Sequence, residues 1–381
     1  MENRTVKILY VCNASNFDGI GGMEYHLLDI TTWMEGHGVL TALAVRRDTF
    51  FHRKILRERQ NVYPLSWTGL HKILSFFQVA NAIREFSPDI ISINREKDII
   101  RIFVITKSVG LFLKKKPKIV AVFHNPGWQR FYILGMLDGI LFPTLFMKKG
   151  YLQKNMGAET KSAIIYHGIN VHAVDMAEKL NPDRKRKFFK GKGFPLIGMI
   201  GEMRKNQTEL IDAAYHLKKK KKDFTIVFVG RGNDDEIKSL QEKIDRLGLA
   251  ENFLFTGRVD RSLIPDVLYD LDISVTTNRD EPFGIVHIES LASCTPLVAY
   301  NSGGPVEILE RGGGILVDGG PEEMAESIFK AISDQELRKS LGLAGRAAVE
   351  KYFSIDSMGE QHYRFYQAVL DGSLSNKTSL A

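Results

Sequence analysis

Short apolar, β-branched runs alternate with amphipathic stretches of helical length along most of the chain. Residues 6–11 (VKILYV), 40–45, 90–93, 119–123, 141–142 and 162–166 read as strands. A glycine-rich turn at 19–22 leads into an amphipathic stretch at 24–35. Strands separated by helix-length segments predict parallel β-α-β units with helices on both faces of a sheet. The alternation breaks at residues 181–193 (NPDRKRKFFKGKG), which hold six basic residues, one acid, a proline and two glycines and so read as a linker. It restarts with strands at 195–200, 224–229, 253–256, 273–276 and 296–299 and helices at 209–222, 234–247 and 321–333.

The pattern predicts an α/β protein of two doubly wound, Rossmann-like parallel-sheet domains facing each other across a cleft. The expected boundaries are 1–180 for the first domain, 181–193 for a basic linker and 194–357 for the second domain. An aromatic-rich helix at 358–370, with His362, Tyr363, Phe365 and Tyr366, is expected to pack back on the first domain, ahead of a flexible polar tail at 371–381. Ligands of such sheets bind beyond the carboxyl ends of the strands, which makes the cleft the default site.

At 381 residues the chain is too long for one ordinary core, in keeping with two domains. Its 44% hydrophobic and 25% charged residues exclude wholesale disorder. Cys12 and Cys294 sit in apolar stretches and read as buried thiols in a reducing cytoplasm. The first residues lack the pattern of a signal peptide. The apolar runs at 99–113 and 131–147 are too short to span a membrane and carry Arg101 and Lys107, and Asp138 and Pro143. A cytoplasmic protein is expected. Charge is unevenly spread: residues 1–180 hold 24 Lys and Arg against 15 Asp and Glu, a balance of +9, while residues 181–381 hold 28 against 30. A basic front half suits an anionic partner or simply solubilises that half. The lysines at 218–222 end a predicted helix, where its dipole favours them; those at 114–116 and the basic run at 184–187 are better candidates for a patch.

The most informative local pattern is Glu281-Pro-Phe-Gly-Ile-Val-His-Ile-Glu289, placed after a strand and at the opening of a helix. Backbone N–H groups of Phe283, Gly284 and Ile285 at such a helix start make a phosphate site. Further on stand Gly303, Gly304 and Glu307, then Gly314-Ile-Leu-Val317; upstream stand Val227-Phe-Val-Gly230-Arg-Gly232 and Phe255-Thr-Gly257-Arg-Val259. In order and at this spacing, nearly the whole second half resembles the retaining GT-B glycosyltransferases of family 4, with Glu281 and Glu289 as their E-x7-E pair. In the first half, Gly21-Gly22-Met-Glu24 resembles the family's GG-x-E loop, and His124, at the end of a predicted strand, its sugar-side histidine. Tyr166-His-Gly168-Ile-Asn170 resembles the Pro-Asn-Gly-Val-Asp hinge but departs from it at Tyr166, His167 and Asn170. The stretch Gly201-Glu-Met-Arg204-Lys205-Asn206-Gln207 resembles a short form of the diphosphate loop, with Glu202 where the family arginine usually stands.

The resemblance implies transfer of a sugar, with retention, from a UDP-, GDP- or ADP-linked donor to a glycan or lipid-linked glycan, as in bacterial lipopolysaccharide, O-antigen or capsule assembly. It implies that His124 contacts the donor sugar and Glu281 its hydroxyls. Arg204 and Lys205 would meet the diphosphate together with the amides at 283–285, and Glu289 the ribose. Gly21, Gly22, Gly230 and Val259 would line the donor site. No cofactor is expected beyond the nucleotide-sugar, and no metal, since no HExxH, CxxC or strand-end carboxylate clamp is present; Asp270-Leu-Asp272 resembles a helix-to-strand element of the family. An anionic membrane face near the first domain is an expected partner. The weighed alternatives are a GT-B-fold nucleotide-sugar epimerase, a phosphorylase with no cofactor lysine to point to, and a nucleic-acid-binding protein, which lacks basic–aromatic interleaving.

Overall fold

The computed structural model describes residues 5–13, 21–67, 72–125, 134–153, 161–171, 179, 181, 185–221 and 223–374. Gly19, residues 131–133 of the second apolar run, Arg184, Lys222 and the tail from 375 lie outside them. The chain divides into two compact units, residues 1–168 with 355–381, and residues 169–354.

The first unit contains seven parallel strands: β1 (Lys7–Cys12), β2 (Leu40–Arg46), β3 (Val62–Leu65), β4 (Ile90–Ile93), β5 (Lys118–Val122), β6 (Gly139–Phe142) and β7 (Ser162–Ile164). Their order is β3-β2-β1-β4-β5-β6-β7. The helices are α1 (Gly22–Gly36), α2 (Phe50–Glu58), α3 (Lys72–Phe86), α4 (Ile99–Gly110) and α5 (Leu145–Leu152). Alternate residues of each central strand enter opposite cores, as the two-residue period demands. Leu9, Val11, Ile91, Ile93 and Ile119 meet α3 and α4 on one face. Ile8, Tyr10, Ile90 and Val120 meet Leu27, Ile30 and Met34 of α1 on the other. Strand β3 was not legible in sequence. It is four residues long, lies at the sheet edge and contains Pro64, which lacks a ladder donor and is tolerated only at such an edge.

The second unit repeats the winding. Its strands are β8 (Leu196–Ile200), β9 (Thr225–Val229), β10 (Phe253–Gly257), β11 (Ile273–Thr276), β12 (Leu297–Tyr300) and β13 (Gly314–Val317), in the order β10-β9-β8-β11-β12-β13. Between and after them run α6 (Gln207–Lys220), α7 (Asp234–Arg246), α8 (Ile264–Asp270), α9 (Ile285–Ala292), α10 (Gly304–Leu309), α11 (Pro321–Ser333) and α12 (Gln335–Tyr352). Asn233 and Glu236 form a capping box that fixes the start of α7, and the Asp334 carboxylate caps α12 through Leu337 N–H. In each unit the strand order reverses beside the first strand, β1/β4 and β8/β11, and that switch point is where a ligand crevice opens.

Two boundaries differ from the sequence expectation. The division falls at Gly168 rather than residue 180, because Ile169 already belongs to the second unit: its N–H donates to Phe353 O at 2.9 Å. The basic stretch is also no free linker over its described part. The Asp270 carboxylate accepts from the N–H groups of Lys187, Phe188 and Phe189 at 2.7, 2.8 and 2.6 Å. Asp272 accepts from Arg186 and from Leu196 N–H, both at 2.7 Å. Phe189 is buried among Leu196, Val227, Leu268 and Leu271. The Asp-x-Asp pair is therefore a clamp for this segment, satisfying the buried donors of Phe189 and Leu196 and the half-buried ones beside them, in a stretch that composition alone assigns to solvent.

The last helix, α13 (Ile355–Asp371), belongs to the first unit. Its Gly359 lies against the Trp33 ring so closely that a Cβ there would come within 2.1 Å of it. Asp356 accepts from Trp33 Nε1 at 2.9 Å, and Phe365, Tyr366 and Val369 complete the core over β1 and β5.

Asp270→Ala strips three N–H groups of their acceptor, at about 1–3 kcal/mol for each donor left buried. The midpoint of the second unit in denaturant should fall, with amide exchange of 187–189 accelerated and that of the first unit unchanged. Exchange at 187–189 equal to the parent's would show that the clamp does not hold the segment.

Candidate active site

In the second unit, the loops after β8 and β11 are tied together at the switch point. The Thr277 hydroxyl donates to Asn206 O at 2.7 Å, and Asn206 Nδ2 donates to Thr277 O at 3.2 Å. Backbone crowding sets the geometry. Gly230 has φ +148, and a Cβ there would fall 1.9 Å from Gly201 O. The Gly303–Gly304 pair underlies the next loop: a Cβ on Gly304 would fall 2.5 Å from Phe283 Cα, and Gly304 N–H donates to Glu281 O at 2.7 Å. Glycine at these positions is a steric necessity.

These approaches bring together Lys205 and Glu281, which lie 76 residues apart in sequence. Lys205 Nζ stands 2.8 Å from Glu281 Oε2, which also accepts from Asn278 Nδ2 at 3.0 Å. Burial by itself would push the Glu281 carboxyl up; the Lys205 charge, His287 and the hydrogen bonds from Lys205 and Asn278 outweigh it and hold it below the usual range. Lys205 keeps 34% of its side chain exposed. Helix α9 begins at Ile285, with Gly284 as its left-handed cap at φ +94. Its first turn opens immediately after Glu281, Pro282 and Phe283, with the His287 N–H donating to Gly284 O at 2.9 Å.

Glu289, one turn into α9, is buried and ion-paired with Arg261 through one oxygen; its Oε2 has no partner among the described residues. Burial raises this carboxyl and Arg261 opposes the rise. An orphaned buried acceptor is costly unless a donor arrives, and a vicinal diol supplies one. The structure parts Arg204 from this group: it is 73% exposed and bonded to Glu202, which also receives Arg231 at 3.2 Å. Gly230 shapes the loop by its lack of a side chain, and Val259 packs beside Val229 and Val267.

Sequence reading missed three members, Arg261, Asn278 and His287. The His287 ring is buried over Gly284, neither nitrogen has a partner, and burial lowers its pKa to about 4 despite the nearby Glu281. Its place inside the E-x7-E block was the available signal; its burial was not visible.

In the first unit, the Glu24 carboxylate accepts from Gly21 N–H at 3.1 Å at the start of α1, where Gly22 is the first helical residue. His124 follows β5. Its N–H and that of Asn125 donate to Glu96 Oε1 at 2.7 and 2.9 Å, and its Nε2 is unpartnered. The ring belongs to a buried cluster with His26, His167 and His362. The Nδ1 atoms of His26 and His167 stand 2.9 Å apart, in hydrogen-bond contact. Burial lowers all four, His124 and His362 to about 4. Among the described residues, no group of three His, Cys, Asp or Glu is placed to hold a metal ion.

A cation paired with a buried carboxylate, a helix start and a buried carboxylate oxygen on Glu289 able to accept from a hydroxyl together suit a phosphorylated sugar. Comparison with known proteins agrees. The family model for glycosyl transferases group 1 matches residues 181–348, and that for glycosyltransferase family 4 matches residues 20–173. The chain belongs to the family 4 GT-B glycosyltransferases. It is 28% identical over 278 residues to human alpha-1,3/1,6-mannosyltransferase ALG2, covering 68% of this chain and 66% of that protein, so it spans about two thirds of that relative's length. It is 23% identical to the phosphatidyl-myo-inositol mannosyltransferase of Mycobacterium leprae, over 96% of this chain and 97% of that one. The structure of Anabaena Alr3699/HepE in complex with UDP-glucose superposes with a TM-score of 0.77 at 20% identity, covering 95% and 99% of the two chains, and shares the fold.

The histidine cluster sets a pH dependence for the first unit. Unfolded imidazoles titrate near 6.5, whereas the buried ones stay neutral well below that. The unfolded chain thus binds more protons below pH 6.5, and stability falls with pH by up to about 1.4 kcal/mol per unit for each histidine. The thermal midpoint of the first unit should drop between about pH 7 and about pH 5, and His362→Gln should flatten the drop. A midpoint independent of pH over that range would mean that these rings are protonated in the folded state.

Proposed function

We propose that the protein is a retaining, metal-independent glycosyltransferase. It moves a hexose from a nucleotide-sugar to a glycan or lipid-linked glycan, in the assembly of a bacterial cell-surface polysaccharide. The observation that carries this is the Lys205–Glu281 pair beside the start of α9, with a partnerless Glu289 oxygen one turn along. The mannosyltransferase names of the relatives support a hexose donor, and the phosphatidyl-myo-inositol in one of them supports a lipid-borne acceptor. UDP-glucose in the structural neighbour supports a nucleotide-sugar donor.

In this reading, the Lys205 ammonium and the amides of the first turn of α9 neutralise the diphosphate as it departs. Glu281, kept ionised, accepts hydrogen bonds from the sugar hydroxyls, and Glu289 Oε2 accepts one from the ribose. His124 is the sugar-side contact of the first unit. The bond from the anomeric carbon to the diphosphate oxygen breaks, and a bond to the acceptor oxygen forms on the same face. The acceptor proton leaves with the diphosphate. Arg204 retains at most a long-range part, since Glu202 takes its charge. The basic first half would face an anionic leaflet that presents the acceptor.

Turnover of a panel of nucleotide-sugars, led by GDP-mannose and UDP-glucose, in excess chelator tests the reading. Release of nucleotide diphosphate with the sugar's anomeric configuration retained is expected. Activity lost to chelator and restored by magnesium or manganese would overturn the metal-free mechanism, and no turnover of any donor would overturn the function.

The two charged positions should separate. Lys205→Ala should lower turnover about tenfold or more, through loss of a charge-assisted bond to the leaving group. Glu289→Ala should chiefly weaken donor binding in calorimetry. An unchanged dissociation constant in the second variant removes Glu289 from the ribose site.

A further inference from the structure

We propose that the outer face of α3 and α4 in the first unit docks on an anionic lipid surface. The proposal names the membrane-facing surface of the transfer reaction proposed above and rests on the lipid-borne acceptor of that reading.

Helices α3 and α4 lie side by side. Their inner faces, including Val79, Ile83, Ile102, Ile105 and Val109, are buried in the core. Their outer faces are apolar as well. Leu74 and Phe77 stand exposed on α3, Phe77 by 63%, and Ile100 and Val104 on α4. The chain leaving α4 adds Leu111 and Phe112, 75% and 90% exposed. A soluble surface seldom strings six large apolar side chains along neighbouring elements without a use for them.

Around α4 the exposed charges are basic, while the C-terminal end of α3 exposes one base, Arg84, and one acid, Glu85. At helical spacing the exposed stripe of α4 runs Lys97, Ile100, Val104, Lys107, Leu111, and exposed Lys114, Lys115 and Lys116 follow. Helix α4 contains no acid at all, and the flanking Glu96 and Asp98 are buried. Among these lysines, Lys115 is committed to Asp89. Apolar side chains ringed by lysines match the boundary between acyl chains and anionic headgroups, where the lysine stems extend toward the phosphates. A second copy of this chain would fit poorly, because a two-fold contact sets the same lysines against one another. In the apolar run at 131–147, Leu134, Leu137, Ile140, Leu141, Phe142 and Met147 are buried, while Met136 and Leu145 are exposed.

Sedimentation of the full chain with vesicles of phosphatidylglycerol mixed in phosphatidylcholine, and with phosphatidylcholine alone, tests this. The parent should bind the anionic vesicles and release partly at high salt. The exposed-site variant Ile100→Glu/Phe112→Glu should lower the partition coefficient about tenfold or more, and Lys97→Gln/Lys114→Gln/Lys116→Gln should lower it on anionic vesicles only. Parental binding by both variants would overturn the proposal. So would a parent that ignores vesicles but self-associates until Phe112→Glu is introduced, which would make the face a protein interface. Hydrolysis of the donor nucleotide-sugar in solution, measured on the same samples, separates the two claims. Vesicle binding lost with hydrolysis intact leaves the donor chemistry standing and confirms the face. Hydrolysis absent from the parent, with vesicle binding present, removes the transferase reading and leaves the face in place.

Discussion

The second unit turns on one electrostatic constraint: the Glu281 carboxylate is taken out of water and stays ionised. Burial opposes this, and a single cation 2.8 Å away, with one amide from Asn278, reverses the balance. The backbone around it serves that pairing. The aliphatic stem of Lys205 passes close to Gly201, where a Cβ would stand 3.1 Å from Lys205 Cδ. Gly230 has to be a glycine for Gly201 to sit where it does. Gly303 and Gly304 must lack side chains for the loop carrying Glu281 to lie against them. The candidate site is thus a set of close backbone approaches that deliver one ion pair to the end of a sheet.

The first unit is organised by burial of neutral polar rings instead. His26, His124, His167 and His362 come from α1, the end of β5, the chain after β7, and α13. Each is easier to bury uncharged, and together they repel any proton that would charge one of them. Because His362, Phe365 and Tyr366 are supplied by α13, part of one face of this sheet lacks its cover until the chain has traversed the whole second unit. Such long-range closure is slow to form. It makes the C-terminal helix part of the first unit's core.

Clusters of charge in the sequence have unlike fates. Arg186 of the basic run at 184–187 is drawn into the Asp272 clamp, while Lys187 lies over the Tyr269 ring at 4.1 Å. The lysines of α6 end that helix near its dipole, and Lys220 pairs with Glu326. Lys97 and Lys107 attract less notice in sequence than the run at 114–116, yet all lie exposed on α4 or next to it, among exposed apolar residues. Proximity along the chain is a poor guide to proximity on the surface, because helical spacing redistributes it.

The sequence by itself determined the class of fold. A period of two in short β-branched runs, set between helix-length segments, permits little besides parallel β-α-β winding, and both sheets have it. It also singled out Lys205, Glu281 and Glu289 as candidates, since an ordered series of glycines and acids at fixed spacing is visible without coordinates. Strand β3 escaped because an edge strand with a proline carries almost no periodic signal. What tertiary structure alone decided was partnership. It gave Lys205 to Glu281 and Arg204 to Glu202, brought Arg261 to Glu289, gathered four histidines from distant segments, and turned an apparent linker into a docked segment. Side-chain pairing follows from where the backbone lets two elements approach, and that is settled by packing across the fold, beyond the reach of any local pattern.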